Sequence, residues 1–150
     1  MLLAAALLPA AALRVATRTL ELEDPQVVKS GGHLDPDRWT FDRTRFPGAW
    51  VLREGERLEA PVVAGAAEAT LTLAARFVRH HPGPLHVRLR AGETTLGELE
   101  FGAVETWESR RLGPVAWPAG APLVVELDAP AAPGAQPNGV LLDRVRFDWR

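Results

Sequence analysis

Apolar and polar residues alternate along several segments of this 150-residue chain. In residues 69–79, Leu71, Leu73 and Phe77 recur at even spacing with threonine and arginine between them, and residues 85–90 repeat the pattern. Side chains two positions apart in a β-strand point to the same face of the sheet. This period of two therefore predicts half-buried antiparallel strands.

Shorter segments predict further strands, and glycine, proline and asparagine lie between them. The candidates are residues 20–24, 50–52, 57–63, 94–101, 107–112, 123–127 and 139–149, and a long polar and aromatic loop is expected at residues 30–48. No helical period follows Arg18. Roughly eight to ten short strands separated by turns predict an all-β sandwich of two antiparallel sheets in residues 19–150.

Length and composition narrow the possible functions. A chain of this length suits one domain, which we expect to be a monomer. The net charge of −2 gives no electrostatic argument for nucleic acid or an anionic membrane as a partner. Cysteine is absent, which excludes disulfides, thiolate nucleophiles and zinc–thiolate sites. Lys29 is the only lysine, and this bias toward arginine is typical of a GC-rich bacterial genome.

The N-terminal segment, residues 1–18, is predicted to be separate from the sandwich. Residues 2–13 are apolar, with Pro9 and then three alanines, as in a signal-peptide core with a small-residue cleavage site. No basic residue precedes the segment, and it is shorter than the about 20 residues that span a bilayer. The alternatives are the remnant of a preceding helix, a helix packed on the domain, or a chain cut at this point. We expect an extracytoplasmic protein, secreted or in the cell envelope.

Carboxylates occur near both ends of the predicted sandwich. Alternation in the first strand would put Glu21 and Glu23 on one face, and Asp143 lies inside the otherwise apolar last strand. If these three acids are crowded together, a hard cation such as calcium, which takes six to eight oxygen ligands, would neutralise them. The alternative is that they are solvated or paired with Arg144 or Arg146.

The order of these motifs resembles the β-sandwich carbohydrate-binding modules of families 6, 35 and 36. Those modules open on a Glu-x-Glu strand and close on an apolar strand that contains an aspartate. Residues 62–76 are similar to their strand, turn and outer strand ending in arginine. Residues 107–125 are similar to their strand that begins at tryptophan, glycine turn and next strand. The resemblance covers about residues 19–150.

The resemblance implies a jelly-roll sandwich like a galactose-binding domain. It further implies a non-catalytic domain that binds a polysaccharide or glycan through a loop rim, with a catalytic or membrane domain attached or neighbouring. A structural calcium is implied at Glu21, Glu23 and Asp143.

Tryptophan side chains are the first candidates for sugar contact, because an indole is a flat apolar surface with one hydrogen-bond donor. Trp50, Trp117 and Trp149 lie in or beside apolar segments, and we assign them to the core. Trp39 lies in the long polar loop. Trp107 has the position at which the resembling modules often have their sugar platform. Core packing is the alternative for both.

Residues before and within the last strand bear on the same question. Asn138 lies in a loop that would face the same rim, and its amide can donate to and accept from sugar hydroxyls. Family sugar-binders often have a polar residue two positions before the final aspartate, and here that position is Leu141. Leu141 favours a second hypothesis, a structural or interaction domain of an envelope or membrane-associated protein without sugar binding.

We expect a domain that is not an enzyme, and a small hydrolase is the third hypothesis. The Gly-x-Ser-x-Gly motif and phosphate-binding glycine loops are absent, and no two carboxylates are paired in the way that glycoside hydrolysis requires. His33, Asp35 and Asp37 could form a small metal or catalytic cluster, although Asp-Pro-Asp more often builds a turn. His80 and His81 are adjacent, so in a strand their rings would point to opposite faces and could not chelate one ion.

Overall fold

The computed structural model describes residues 16–25, 27–35, 48–62, 67–78, 85–102, 106–128, 134, 136 and 138–150. These residues form ten β-strands and no helix. In chain order the strands are β1 (Ala16–Glu21), β2 (His33–Asp35), β3 (Ala49–Arg53), β4 (Arg57–Ala60), β5 (Ala67–Val78), β6 (His86–Ala91), β7 (Thr94–Glu100), β8 (Trp107–Trp117), β9 (Leu123–Asp128) and β10 (Gly139–Trp149). The predicted all-β class is confirmed. In the described ranges, no helix reaches the length and apolarity that a membrane crossing requires.

The strands form two antiparallel sheets, as predicted. One sheet has the order β2-β3-β10-β5-β8, with β1 also paired to β10, and the other has the order β4-β9-β6-β7. The last strand is long enough to take two neighbours along one edge, because β3 pairs with residues 139–142 and β1 with residues 144–149. The N-terminal and C-terminal strands therefore lie side by side within the six-stranded sheet.

The apolar core lies between the sheets, where the residues of the period-two pattern point inward. Leu71, Leu73 and Phe77 of β5 are fully buried, as are Val87 and Leu89 of β6. At about 25 cal/mol per Å² of buried apolar surface, these inner faces supply the main driving force for folding.

The tryptophans assigned to the core lie in it or against it. Trp117 is 1% exposed, meets Phe147 edge-on at 5.5 Å between ring centroids, and donates a hydrogen bond to the Ala121 carbonyl at 3.2 Å. Trp149 stacks on Phe147 at 5.3 Å, and Trp50 packs against the core from its edge.

The first strand has different bounds from those predicted. β1 begins at Ala16, opposite Trp149, and ends at Glu21, so pairing with β10 rather than local hydropathy determines its extent. Glu23 lies in the turn that follows, and the expectation that Glu21 and Glu23 share one strand face is wrong. Residues 1–15 lie outside the described residues, and the division of the chain at residue 18 stays a prediction.

The eighth strand continues past its predicted end at residue 112, although Gly113 and Pro114 are typical of a turn. Gly113 has a φ of 113°, and a Cβ there would lie 2.7 Å from the Ala69 carbonyl oxygen, so only glycine fits. The register with β5 shifts between Ala69 and Leu71. This bulge accommodates the Gly-Pro pair, and the strand continues to Trp117.

A short strand forms inside the segment for which the sequence predicts a loop. His33 of β2 lies opposite Val51 of β3, and β2 ends at Asp35. Three residues are too few for a period-two signal, so only the pairing with β3 reveals this strand. The predicted histidine and aspartate positions in residues 36–47 and 79–84 lie outside the described residues.

Candidate functional site

β10 contains a bulge at Asp143, one of the predicted calcium ligands. The residues on either side of Asp143 in the sequence lie opposite consecutive residues of β5, Ala74 and Ala75, so Asp143 is the extra residue. Asp143 is fully buried. Its carbonyl oxygen accepts a hydrogen bond of 2.9 Å from the backbone N–H of Leu22, which joins the turn after β1 to the bulge.

The other two predicted ligands lie on either side of Leu22. Glu21 is partly buried and lies opposite Arg144, whereas Glu23 is 3% exposed. The Nε atom of Arg144 lies 3.4 Å from a carboxylate oxygen of Asp143, which is the arginine pairing that the sequence offered as the alternative to calcium. In the part of the chain that the structure describes, no group of three or more acidic, histidine or cysteine side chains is placed to hold a metal ion.

Residues 22–25 after β1 form a turn that contains Glu23 and Asp24, which we call the acidic turn. The side chain of Lys29 brings a positive charge to this turn. The Nζ atom of Lys29 donates hydrogen bonds to the carbonyl oxygens of Asp24 and Val27, the second at 3.2 Å. It also lies 4.6 Å from the centroid of the Trp50 ring, a cation–π contact. Burial lowers the pKa of Lys29 below its usual value, because its effect outweighs the opposing charges of Asp24 and Glu23. Sequence reasoning missed this contact; the available signal was the single lysine shortly after an acidic segment.

Two glycines let the chain pass over the ring of Trp50. Gly31 and Gly32 have φ values of 92° and 77°, and a Cβ on Gly32 would clash with the Trp50 indole. The indole Nε1 donates a hydrogen bond of 3.1 Å to the Gly31 carbonyl. Trp50 is thus held between loop and core.

Trp107 lies outside the core, on the outer face of the six-stranded sheet. It is the first residue of β8 and lies opposite Arg76 of β5, which in turn lies opposite Leu141 of β10. The neighbours of Arg76 in the sequence, Ala75 and Phe77, are fully buried, so Arg76 and Trp107 are on the opposite face from the core. The indole is partly buried there.

Asn138 lies at the same end of the sandwich as Trp107. It immediately precedes β10, and its backbone N–H donates a hydrogen bond of 3.0 Å to a carboxylate oxygen of Glu54. Asn138 is fully buried, so it is not on the open rim that the sequence suggested. Trp39, the other predicted contact, lies outside the described residues.

The outer face around Trp107 is rich in arginine and hydroxyl groups, a feature that sequence reasoning missed. Arg146 of β10 lies between Thr19 of β1 and Thr72 of β5, and Thr72 lies opposite Arg111 of β8. The adjacent row across the sheet contains Arg144, Ala74 and Ser109. We call these seven residues the arginine face. Alternation gives the face of each residue, but the register that brings them together is a property of the sheet.

Asp148 lies at one end of this face. Its carboxylate accepts hydrogen bonds from Thr17 Oγ1 at 2.8 Å and from Arg146 Nη2 at 3.0 Å. The hydrogen bond from Thr17 and then the charge and hydrogen bond of Arg146 hold the pKa of Asp148 below its usual value.

The outer face of the four-stranded sheet is different, because its arginines face acids across the strands. Arg88 lies opposite Glu98 and donates two hydrogen bonds to it, at 2.8 and 2.9 Å. Arg90 bonds to Glu126 at 3.0 Å and to Glu93 at 2.7 Å. Such cross-strand pairs are typical of a solvated sheet face.

Comparison with solved structures identifies the fold. A family 36 carbohydrate-binding module, solved with calcium and xylotriose, matches this chain with a TM-score of 0.62 at 14% identity, over 87% of this chain and 98% of that module. The fold is that of a carbohydrate-binding module. The C-terminal family 6 module of LamC, a marine laminarinase from Zobellia galactanivorans, matches with a TM-score of 0.54 at 16% identity, over 89% of this chain and 99% of that one.

The same fold occurs within longer enzymes. A Podospora anserina β-(1,4)-mannanase with a family 35 module matches with a TM-score of 0.58 at 15% identity, over 91% of this chain and 28% of that one. The catalytic domain of a GH87 α-1,3-glucanase also matches, and this chain covers 27% of it. No family model and no curated protein matches the sequence. The resemblance to families 6, 35 and 36 is thus confirmed as a likeness of fold.

Proposed function

We propose that this domain is a non-catalytic carbohydrate-binding module that holds a polysaccharide or glycan at the end of the sandwich where Trp107 lies. The observation that supports this most strongly is the position of Trp107. Its indole lies outside the core, on the sheet's outer face, and an indole there offers an apolar surface to the C–H face of a sugar ring. The fold of known sugar-binding modules supports the same function.

Trp39 and Asn138 complete the proposed contact set in different ways. Trp39, which lies between β2 and β3 in the sequence, is proposed as a second aromatic contact. Because Asn138 is buried and its backbone is bonded to Glu54, we assign it the support of the rim rather than an open contact.

The protein is proposed to act as a monomer outside the cytoplasm, beside a catalytic or membrane domain. The mannanase with a family 35 module supports this arrangement, since the match covers only 28% of that longer enzyme. A structural or interaction domain without sugar binding is the second candidate. The observation that favours it is Leu141, which is 4% exposed on the outer side of β10 in a position where sugar-binding modules of the resembling families often have a polar residue.

A structural calcium at Glu21, Glu23 and Asp143 is a separable part of the proposal. The burial of Glu23 and Asp143 supports it, as do the oxygen ligands that calcium prefers and the calcium in the family 36 module. The described side chains do not by themselves form a metal site, and Lys29 already brings a positive charge to the turn. No part of the glycan contact depends on this ion.

Affinity electrophoresis tests the function directly. The purified chain is run through gels that contain xylan, mannan, laminarin, pectin or a bacterial polysaccharide, with bovine albumin as the non-binding reference. We expect the wild type to be retarded by at least one glycan and Trp107→Ala to run with the reference. If no glycan retards the wild type, the structural or interaction role is the better assignment.

A further inference from the structure

The arginine face encloses a depression beside Trp107. Its volume is about 310 Å³, and it is lined by Thr19, Thr72, Ala74, Ser109, Arg144 and Arg146. Ala74 is the smallest of these side chains and lies between Arg144 and Ser109 in one row across the sheet. The lining therefore combines two guanidinium groups with three hydroxyl groups around a small floor.

The two guanidinium groups of the lining lie on the outer face of the six-stranded sheet together with acidic side chains. These acids are Glu21, opposite Arg144, Asp143, whose carboxylate lies 3.4 Å from Arg144 Nε, and Asp148, bonded to Arg146. The Arg146 side chain is still 56% exposed and Arg144 is 26% exposed, so both guanidinium groups remain accessible to a ligand. Arg111 of β8 lies at the edge of the row that contains Thr72 and Arg146 and is a third cation on this face.

Trp107 and the depression are arranged along one line. On β8, Trp107, Ser109 and Arg111 are two positions apart and share the outer face. At about 3.4 Å per residue, Trp107 and Arg111 are about 14 Å apart along the strand. A short oligosaccharide that packs one ring on Trp107 would thus place a neighbouring ring over the depression.

We propose that the glycan bound by this domain is acidic, with a carboxylate or sulfate group seated in the depression between Arg144 and Arg146. Planar guanidinium groups bind such oxyanions through paired hydrogen bonds, and the Thr72 and Ser109 hydroxyls donate to the remaining oxygens. A neutral sugar offers the two arginines only uncharged hydroxyl oxygens, which are weaker acceptors than a carboxylate or sulfate. This inference rests on the proposed function and specifies the class of sugar.

The test compares acidic and neutral glycans in the full chain. Affinity constants are measured for polygalacturonate, which contains carboxylates, for dextran sulfate, which contains sulfates, and for neutral xylan and dextran. Arg144→Gln and Arg146→Gln are the test variants. Arg88→Gln is the matched control, since Arg88 lies on the outer face of the other sheet and its side chain is 36% exposed. The melting temperature of each variant is measured to verify folding.

We expect the wild type to bind at least one acidic glycan at least tenfold more tightly than its neutral counterpart. Loss of one charge-assisted hydrogen-bonding partner should weaken binding of the acidic glycan by about tenfold to a hundredfold in Arg144→Gln and Arg146→Gln, with neutral binding and Arg88→Gln unchanged. Retention of polygalacturonate without dextran sulfate identifies a carboxylate, and the reverse identifies a sulfate.

Three results would overturn the inference. Equal affinity for acidic and neutral glycans excludes the oxyanion site while the proposed function stands, and so does unchanged binding in both test variants. An equal loss in Arg88→Gln indicates a non-specific charge effect. Failure of every glycan, acidic and neutral, rejects the proposed function itself.

Discussion

The substitution Trp107→Ala distinguishes a sugar platform from a residue whose role is packing. The indole lies on the outer face of the sheet beside Arg76 and is only partly buried. At about 25 cal/mol per Å² of apolar surface, truncation of a partly covered indole should destabilise the fold by about 1–2 kcal/mol. Binding should suffer much more, because the platform itself is removed.

Trp117→Ala is the matched core control. Trp117 is 1% exposed, contacts Phe147 and Trp149 edge-on, and donates to the Ala121 carbonyl. A fully buried tryptophan typically costs about 3–5 kcal/mol on truncation to alanine. In a domain of this size about 1 kcal/mol shifts the melting temperature by about 2–4 °C. We therefore expect a decrease of about 2–8 °C for Trp107→Ala and about 6–20 °C for Trp117→Ala.

The assay measures both properties on each variant. Melting is followed by circular dichroism, and glycan retention is measured in affinity gels at a temperature at which both variants are folded. Trp107→Ala should lose retention, Trp107→Phe should keep part of it because a flat ring remains, and Trp117→Ala should keep it. A melting temperature as low as that of Trp117→Ala, together with unchanged retention, would refute the placement of Trp107 in the glycan site.

Three further predictions concern the acidic turn and the sheet face. Chelation of calcium should lower the melting temperature by about 5–10 °C, which is the effect of removing a ligand present at about a hundredfold excess over its Kd. The variant Asp143→Asn should not respond to the chelator. An identical wild-type melting curve with and without chelator rejects the proposed calcium site. Lys29→Met should destabilise the domain by about 1 kcal/mol in urea unfolding, since the carbonyls of Asp24 and Val27 lose a charged donor, and an unchanged midpoint contradicts that role. The pKa of Asp148 is lowered in the fold, so the stability that its carboxylate contributes is present above the ordinary pKa of about 4 and is lost as pH falls through the folded value. The difference in melting temperature between wild type and Asp148→Asn should therefore shrink in acid. A difference that does not change with pH contradicts this role of Asp148.

Residue alternation predicted β5 and β6, and short apolar segments bounded by turn residues predicted most of the other strands. In β5 and β6 a buried inner face and a more polar outer face leave a period of two in the sequence. The apolar run near the end of the chain predicted the last strand, and the predicted 139–149 agrees with the observed Gly139–Trp149. The assignment of Trp117 to the core followed from the apolar residues beside it in the sequence, and Trp117 is 1% exposed. The motif order that resembles families 6, 35 and 36 indicated the same sandwich fold.

Only the tertiary structure determined how the strands are aligned with one another. The extent of β1, the bulge at Asp143 and the continuation of β8 beyond Gly113 depend on pairing between segments far apart in the sequence. Alternation shows which side of a strand a residue occupies but not which residue of another strand lies beside it. The row that joins Thr19, Arg146, Thr72 and Arg111 arises from that register, because hydrogen-bonded pairing fixes neighbours that local patterns leave undefined.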